Sequence, residues 1–414
     1  MSDFPEILNR FITEKNIHVY SMVKYCDIDR STMYKIIKGT RRPPSEKIRD
    51  KIAAFMRLSP AETQQFEHAW QISVTGKVNY YRRKNAESFL LNFPAFSDMP
   101  GEFPGPTRKP FSSKKECISF SDQNEFSAFF KYIIEQEKFS GDGQIGLLMQ
   151  PSFIPLLRSL IQPGLLDTSI HIDHIFCMEN AEQLTETNDY RSLCYLGNLL
   201  PLFVNQRNYH PWCFYDDIQS HFCSLNLFPV LILTKKAVIT CTSDCTEGIL
   251  YQSPEVISML WNIFDTYRSL CHPLFQVPDQ DSICRIRSSS SPAFSGWSFK
   301  ENGVHCYCSK NTVKKYISDL RLHASDNNLL NFSAQHFHFL KSPLAEASEN
   351  IQIYAEDKNM FLHFKNTSGG SVYLDLQEPR LASALLDYIK NIEKDFLYTE
   401  EENIRYVKEI NQKI

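Results

Sequence analysis

Apolar residues over the first seventy positions recur at three- and four-residue intervals in short bursts, the spacing of a single buried helix face. Met22, Val23 and Tyr25 predict a helix over Val19–Tyr25. Met33, Ile36 and Ile37 predict a second over Arg30–Lys38, and Ile48, Ile52, Phe55 and Met56 a third. Strand signals are nearly missing from Phe4–Ser73. The pattern changes after Gly76. Pro94, Pro100, Pro104, Pro106 and Pro110, with Gly101 and Gly105, disfavour helix and strand alike, so 76–115 reads as a Pro-rich linker concentrated over 92–114.

Beyond the linker, long helical stretches alternate with short apolar runs. Phe126, Phe129, Phe130, Ile133 and Ile134 predict a helix that Asp122 and Glu125 can cap. Strands are expected at Ile145–Met149 and Ser169–Met178, helices at Ser152–Ile161 and Asp189–Leu200. Val230–Leu233 and Val238–Cys241 flank Lys235-Lys236 as a hairpin. Pro254–Cys271 is the cleanest amphipathic helix, with Val256, Met259, Leu260, Ile263, Phe264, Tyr267, Leu270 and Cys271 on one side. After the polar break at Arg287–Pro292, strands are expected at Val304–Cys308, Ile351–Tyr354, Met360–Phe364 and Ser371–Leu376. Helices are expected at Asn311–Leu320, Pro379–Leu397 and Thr399–Ile410.

One join recurs 125 residues apart. Ser253-Pro254-Glu255-Val256-Ile257-Ser258-Met259-Leu260 matches Glu378-Pro379-Arg380-Leu381-Ala382-Ser383-Ala384-Leu385 at Pro, Ser and Leu, with Val256 and Leu381 alike in type. The shared order of strands and helices favours a duplicated α/β lobe, with a cleft between the copies as a natural ligand site. The expected fold class is thus α+β and multidomain. An all-α unit covers 1–75 and the linker 76–115; the first α/β lobe covers 116–287 and the second 288–414.

Charge changes this picture by dividing it. The 414 residues carry 44 basic and 48 acidic side chains, a net charge of −4. Residues 1–85 hold 16 of the basic and 9 of the acidic groups, a net +7, which leaves −11 on the remainder. A basic first fifth on an acidic body points to a polyanionic partner at the N-terminal unit. No apolar run is long enough to span a membrane; Leu225–Leu233 is broken by Asn226 and Pro229. The N-terminus lacks the basic start and apolar block of a signal peptide, so a soluble, cytoplasmic protein is expected. In that compartment the twelve cysteines, with no CxxC among them, read as small core hydrophobes.

Within the basic unit the predicted helices Val19–Tyr25 and Arg30–Lys38 are joined by the turn Cys26-Asp27-Ile28. Asp29 is placed to cap the second, and Gly39 to end it in a left-handed conformation. Two helices joined by so short a turn form a helix-turn-helix. Ser21–Pro44, SMVKYCDIDRSTMYKIIKGTRRPP, resembles the Xre/Cro, or phage-repressor-like, DNA-binding domains, and the resemblance spans about residues 4–72. One departure is Asp27, where that family usually has Gly; Asp tolerates the left-handed conformation better than most residues. The resemblance implies a five-helix unit whose recognition helix, Arg30–Lys38, enters the major groove. It places Arg30, Ser31, Tyr34 and Lys35 against bases, and Thr32, Lys38, Thr40, Arg41 and Arg42 against phosphates. The bland alternative is a small bundle with a solvated basic loop. Tyr80-Tyr81-Arg82-Arg83-Lys84 is a further basic-aromatic cluster, equally consistent with a solvated helix end.

The acidic body offers fragments of chemistry. His171, His174 and Cys177 look like metal ligands, yet on a strand His174 faces away from the other two, which leaves satisfied strand histidines. His336-Phe337-His338 is two ligands short of a site. His363-Phe364-Lys365 is similar to the opening of the phospholipase D-like motif, also found on a two-lobed α/β fold. The Asp that motif needs is Gly370 here, and no second His-x-Lys occurs in the other lobe. Tyr209–Tyr215 is dense in aromatics and reads as packed core or an apolar pocket. Neither catalytic residues, a metal site nor a cofactor is therefore expected.

The expectation is a transcriptional regulator that binds double-stranded DNA as a homodimer, its body sensing a small-molecule or peptide effector or serving oligomerisation, with no membrane partner. The rivals are an enzyme of nucleic-acid or phosphodiester processing tethered by its helix-turn-helix, and a non-catalytic interaction protein.

Overall fold

A computed structural model describes residues 3–42, 45–94, 116–138, 142–153, 170–180, 189–205, 208–218, 227–276, 296–300, 303–315, 337–356, 359–365 and 369–413, with a few isolated positions between. The chain forms two compact units, Met1–Lys84 with Leu184–Asp189, and Asn85–Gln183 with Tyr190–Ile414. No described helix is long and apolar enough to cross a membrane.

The first unit is all-helical: α1 (Asp3–Glu14), α2 (Val19–Cys26), α3 (Arg30–Ile37), α4 (Glu46–Phe55) and α5 (Pro60–Thr75). Its helices begin where short polar side chains can take up the first amides. Ser45 caps α4, and Ser59 and Glu62 exchange hydrogen bonds in a capping box ahead of α5. Phe4, Leu8 and Phe11 of α1 meet Phe66, Ala69 and Trp70 of α5 over Met22, Met33, Ile36 and Ile52. The helix α6 (Lys77–Leu91) follows directly. The Pro-rich connection expected over 76–115 thus starts as fifteen residues of helix, because its prolines begin only at Pro94. Residues 95–115 lie outside the described residues.

The second unit continues with β1 (Cys117–Phe120), α7 (Gln123–Lys138), β2 (Gln144–Leu148), β3 (His171–Glu179), α8 (Arg191–Asn205), β4 (Tyr209–Asp216), β5 (Val230–Leu233), β6 (Val238–Cys241), β7 (Gly248–Tyr251), α9 (Pro254–Leu270), β8 (His272–Pro273) and β9 (Phe275–Gln276). The rest comprises β10 (Trp297–Lys300), β11 (Val304–Cys308), β12 (Phe337–Phe339), α10 (Leu344–Asn350), β13 (Ile351–Glu356), β14 (Asn359–Lys365), β15 (Ser371–Leu376), α11 (Pro379–Lys390) and α12 (Glu400–Lys413). The helix expected over Pro379–Leu397 stops at Lys390, and Lys394–Phe396 form a separate 3-10 turn. Of the helix expected over Ser152–Ile161 and of Asn311–Leu320, only part falls within the described residues; Arg287–Pro292 falls outside them.

Two mixed sheets result, ordered β1-β7-β6-β5-β2-β3-β4-β8 and β12-β11-β10-β13-β14-β15-β9. The second, reversed, runs β9-β15-β14-β13-β10-β11-β12, and its seven strands can be laid on the first seven of the other sheet. Each has an edge strand that precedes the others in sequence, then an antiparallel three-stranded meander, then three further strands, to which the first sheet adds β8 at its far edge. Direction differs at one place. β2 runs antiparallel to β5 and parallel to β3, whereas β10 runs parallel to β13 and antiparallel to β11. The two sheets thus share a strand order, apart from the reversed β10 and from β8, which has no counterpart. One continuous buried cluster, from Phe126 and Phe176 to Trp297 and Leu385, runs through both sheets. Where the sequence suggested a cleft, the lobes meet through shared core and through Tyr215, whose hydroxyl donates to the buried Glu378 at 2.8 Å.

Candidate nucleic-acid interface

The turn between α2 and α3 is built from local chemistry. Asp27 adopts φ 57°, ψ 48°, the left-handed conformation expected of it, and its amide donates back to Lys24 O. Lys51 Nζ reaches Cys26 O at 3.4 Å and so partners the last turn of α2 from α4. Ile28 then packs against the core. Asp29 caps α3, its Oδ1 accepting from Thr32 N at 2.8 Å. These hydrogen bonds from Thr32 hold the Asp29 carboxyl below the usual carboxylate range.

The far end of α3 is fixed just as closely. Gly39 has φ +74°, and a Cβ there would lie 2.8 Å from Pro5 Cγ, so conformation and space both require glycine. Asn9 Nδ2 donates to Ile37 O at 2.9 Å, and Thr40 Oγ1 to Lys35 O at 3.2 Å. Held at both ends, α3 buries Met33 and Ile36 and exposes Arg30, Ser31, Tyr34 and Lys35 in a row, with Lys38 one turn on. The Arg30 guanidinium lies 5.5 Å from the Tyr34 ring centroid, a cation–π contact that orients its donors along the helix.

Of the remaining sequence-chosen residues, Thr40, Arg41 and Arg42 are also exposed. Arg42 Nη1 donates to Val74 O at 3.0 Å, which ties the basic loop to α5. Thr32 is buried, and its Oγ1 accepts from Arg41 Nη1 at 3.1 Å. The sequence carried that signal: Thr32 precedes Ile36 by four residues and so shares its inward face. Asn9, the α1 residue that pins α3, was not singled out, because a 28-residue separation leaves no local trace. Lys24 was also passed over. It is exposed on α2 and stacks 4.8 Å from the exposed Tyr20 ring. At the start of α2, His18 Nδ1 lies 3.1 Å from Ser21 Oγ and provides no side-chain cap.

No protein-family model matches this chain, and no curated protein does. Among solved structures it is similar to TrmBL2, described as an archaeal chromatin protein with a novel mode of DNA binding. The match has 9% identity over 56% of this chain and 83% of that one, with a TM-score of 0.27.

In the body, the described polar residues flagged in the sequence make contacts within the fold. On one face of β3, His174 is fully buried between the Tyr209 hydroxyl at 2.7 Å and Met149 O at 3.0 Å, and burial pushes its pKa down to about 4. On the other face the buried Asp173 accepts from Trp212 Nε1 at 2.8 Å, His171 Nε2 at 3.0 Å and Arg268 Nη1. The alternation expected of a strand thus separates His171 from His174. His363 is hydrogen-bonded to Gln352 and stacked 4.2 Å from Tyr373; His336 lies outside the described residues. The Tyr209–Tyr215 aromatics form β4 and pack to both sides of the sheet. Among the described residues no three His, Cys, Asp or Glu side chains are grouped to hold a metal ion. Cys177, Cys213 and Cys306 are buried, and burial pushes each thiol up to about 12. Tyr80 and Tyr81 of the basic-aromatic cluster stack edge-on with each other on α6, beside His68.

Proposed function

We propose that the protein is a sequence-specific DNA-binding transcriptional regulator whose recognition element is α3. The observation that carries this reading is the exposed row Arg30, Ser31, Tyr34 and Lys35 on a short helix held at both ends, within an N-terminal stretch, residues 1–85, of net charge +7. Arg30 and Lys35 have the donors to read guanine O6 and N7 in a major groove. Lys38, Thr40, Arg41 and Arg42 supply phosphate contacts, and the buried Thr32 serves them by orienting Arg41. One unit of this size makes few base contacts, so a dimer on paired half-sites is the expected bound form. The body serves as an effector-sensing or oligomerisation module, without catalysis.

Selection of bound duplexes from a random-sequence pool tests this reading. A single enriched motif is the expected result; its absence at low salt refutes the proposal. Arg30→Ala is expected to relax the motif at one position. Lys38→Ala is expected to weaken all sequences alike and reduce the salt slope by about 1.

A further inference from the structure

The described side chains of α9 are divided unusually. Ile257 and Phe264 point into the sheet, while Met259, Ile263, Tyr267 and Leu270 are 53, 40, 51 and 72% exposed. At about 100° per residue, these four and the half-buried Val256 and Leu260 form one stripe, turned roughly a quarter-circle from the buried face. Val256, Leu260, Ile263, Tyr267 and Leu270 step by four, three, four and three residues, the a/d spacing of a helix–helix seam. We infer that this stripe is the interface between two copies of the chain, packed as an antiparallel helix pair about a two-fold axis beside Ile263.

Three features select a second copy as the occupant. A seam of a/d spacing is matched by a helix of the same spacing, and antiparallel pairing about Ile263 sets Val256 against Leu270 and Met259 against Tyr267. The stripe itself carries no charged side chain. On another side of the helix Arg268 bonds to Asp265 at 3.1 Å and to the buried Asp173, which leaves Glu255 in the first turn as the remaining charge of α9. Area agrees: the four exposed side chains leave on the order of 400 Å² of apolar surface, a size that marks interaction sites on soluble proteins. Two stripes face to face remove about 800 Å² from water, in the range below ~1,200 Å² that belongs to weak, concentration-dependent association.

The inference concerns the protein without DNA, so it stands or falls separately from the motif selection above. Sedimentation of the full chain is expected to show a concentration-dependent dimer. Ile263→Glu and Ile263→Lys are each expected to weaken association about 100-fold or more. Mixing the two is expected to restore the dimer, because the opposite charges then meet across the axis. Leu270→Glu provides a second disruption should the Ile263 variants lose their far-UV spectrum, and Leu227→Glu is the exposed control that leaves the dimer intact. A wild-type chain that stays monomeric at about 100 µM overturns the inference. So does a dimer that survives the α9 substitutions, or Ile263 variants that stay apart when mixed.

Discussion

The helices α9 and α11 begin alike and end differently. Both follow a three-stranded meander, and both have Pro in the first turn. Yet α11 buries Leu381, Ala384, Leu385, Tyr388 and Ile389 in the core shared by the two sheets, whereas α9 fully buries Ile257 and Phe264 alone. Their starts differ in the same sense. The Glu378 carboxylate, buried, takes Leu381 N, the Tyr215 hydroxyl and Arg380; Ser253 makes no side-chain cap. An apolar stripe in the sequence therefore states that a face is to be covered, without stating by what. In α11 the core of the body covers it; in α9 the cover has to come from elsewhere.

The largest test of this contrast is Leu385→Ala. Leu385 is fully buried, so the lost burial and the residual cavity are expected to cost about 2–5 kcal/mol in denaturant unfolding. A cost below about 1 kcal/mol would place α11 with α9 and erase the comparison. The next test concerns what does anchor α9. Arg268 joins its last turn to Asp173, whose side chain is 1% exposed. Arg268→Ala leaves that carboxylate with Trp212 and His171 only. Because Arg268 is itself 30% exposed, the cost is expected near the lower end of the ~3–5 kcal/mol seen when a buried pair is broken. Equilibrium unfolding at neutral pH measures it. An unchanged midpoint would mean that apolar packing alone seats the helix.

The opposite face of the same strand gives a pH dependence of similar size. His174 titrates at about 4 in the fold because burial disfavours its charged form, against about 6.5 in the unfolded chain. The unfolded state takes up the proton first. This contribution is therefore complete above about pH 6.5, falls as the pH drops towards 4, and levels off below that. It amounts to on the order of 3 kcal/mol. His174→Gln is expected to flatten the wild-type stability profile between those two pH values. A parallel profile for the variant would assign the acid sensitivity to other groups.

Much of the molecule was legible where its determinants are close in sequence. Asp27, Asp29 and Gly39 shape the turn and ends of α3 within thirteen residues, and each behaves as its chemistry requires. The β5–β6 hairpin was legible for the same reason. One strand of each lobe was harder. β4 hides in Tyr209–Asp216, where one face is buried and the other half-buried, and aromatic residues stand on both, so the run shows no apolar–polar alternation. β10 was missed beside a polar break, and its reversed direction is a matter of pairing across more than fifty residues. The candidate site shows the same division. The exposed row on α3 follows from helical phase, but the links from Asn9 to Ile37 and from Arg42 to Val74 join residues that only the folded bundle brings together.

The smallest expected effect sharpens the contrast most. Leu270 ends α9 at 72% exposure, so Leu270→Ser removes almost no packing within one subunit. At protein concentrations low enough to keep chains apart, its unfolding free energy is expected to stay within about 0.5 kcal/mol of wild type, as for other surface substitutions. At high concentration the wild type is expected to gain stability through association, by mass action, and the variant to gain less. The two curves should therefore diverge as concentration rises. A penalty near 2 kcal/mol already present at low concentration would mean that the stripe on α9 is covered within its own subunit, as that of α11 is, and the distinction between the two helices would disappear.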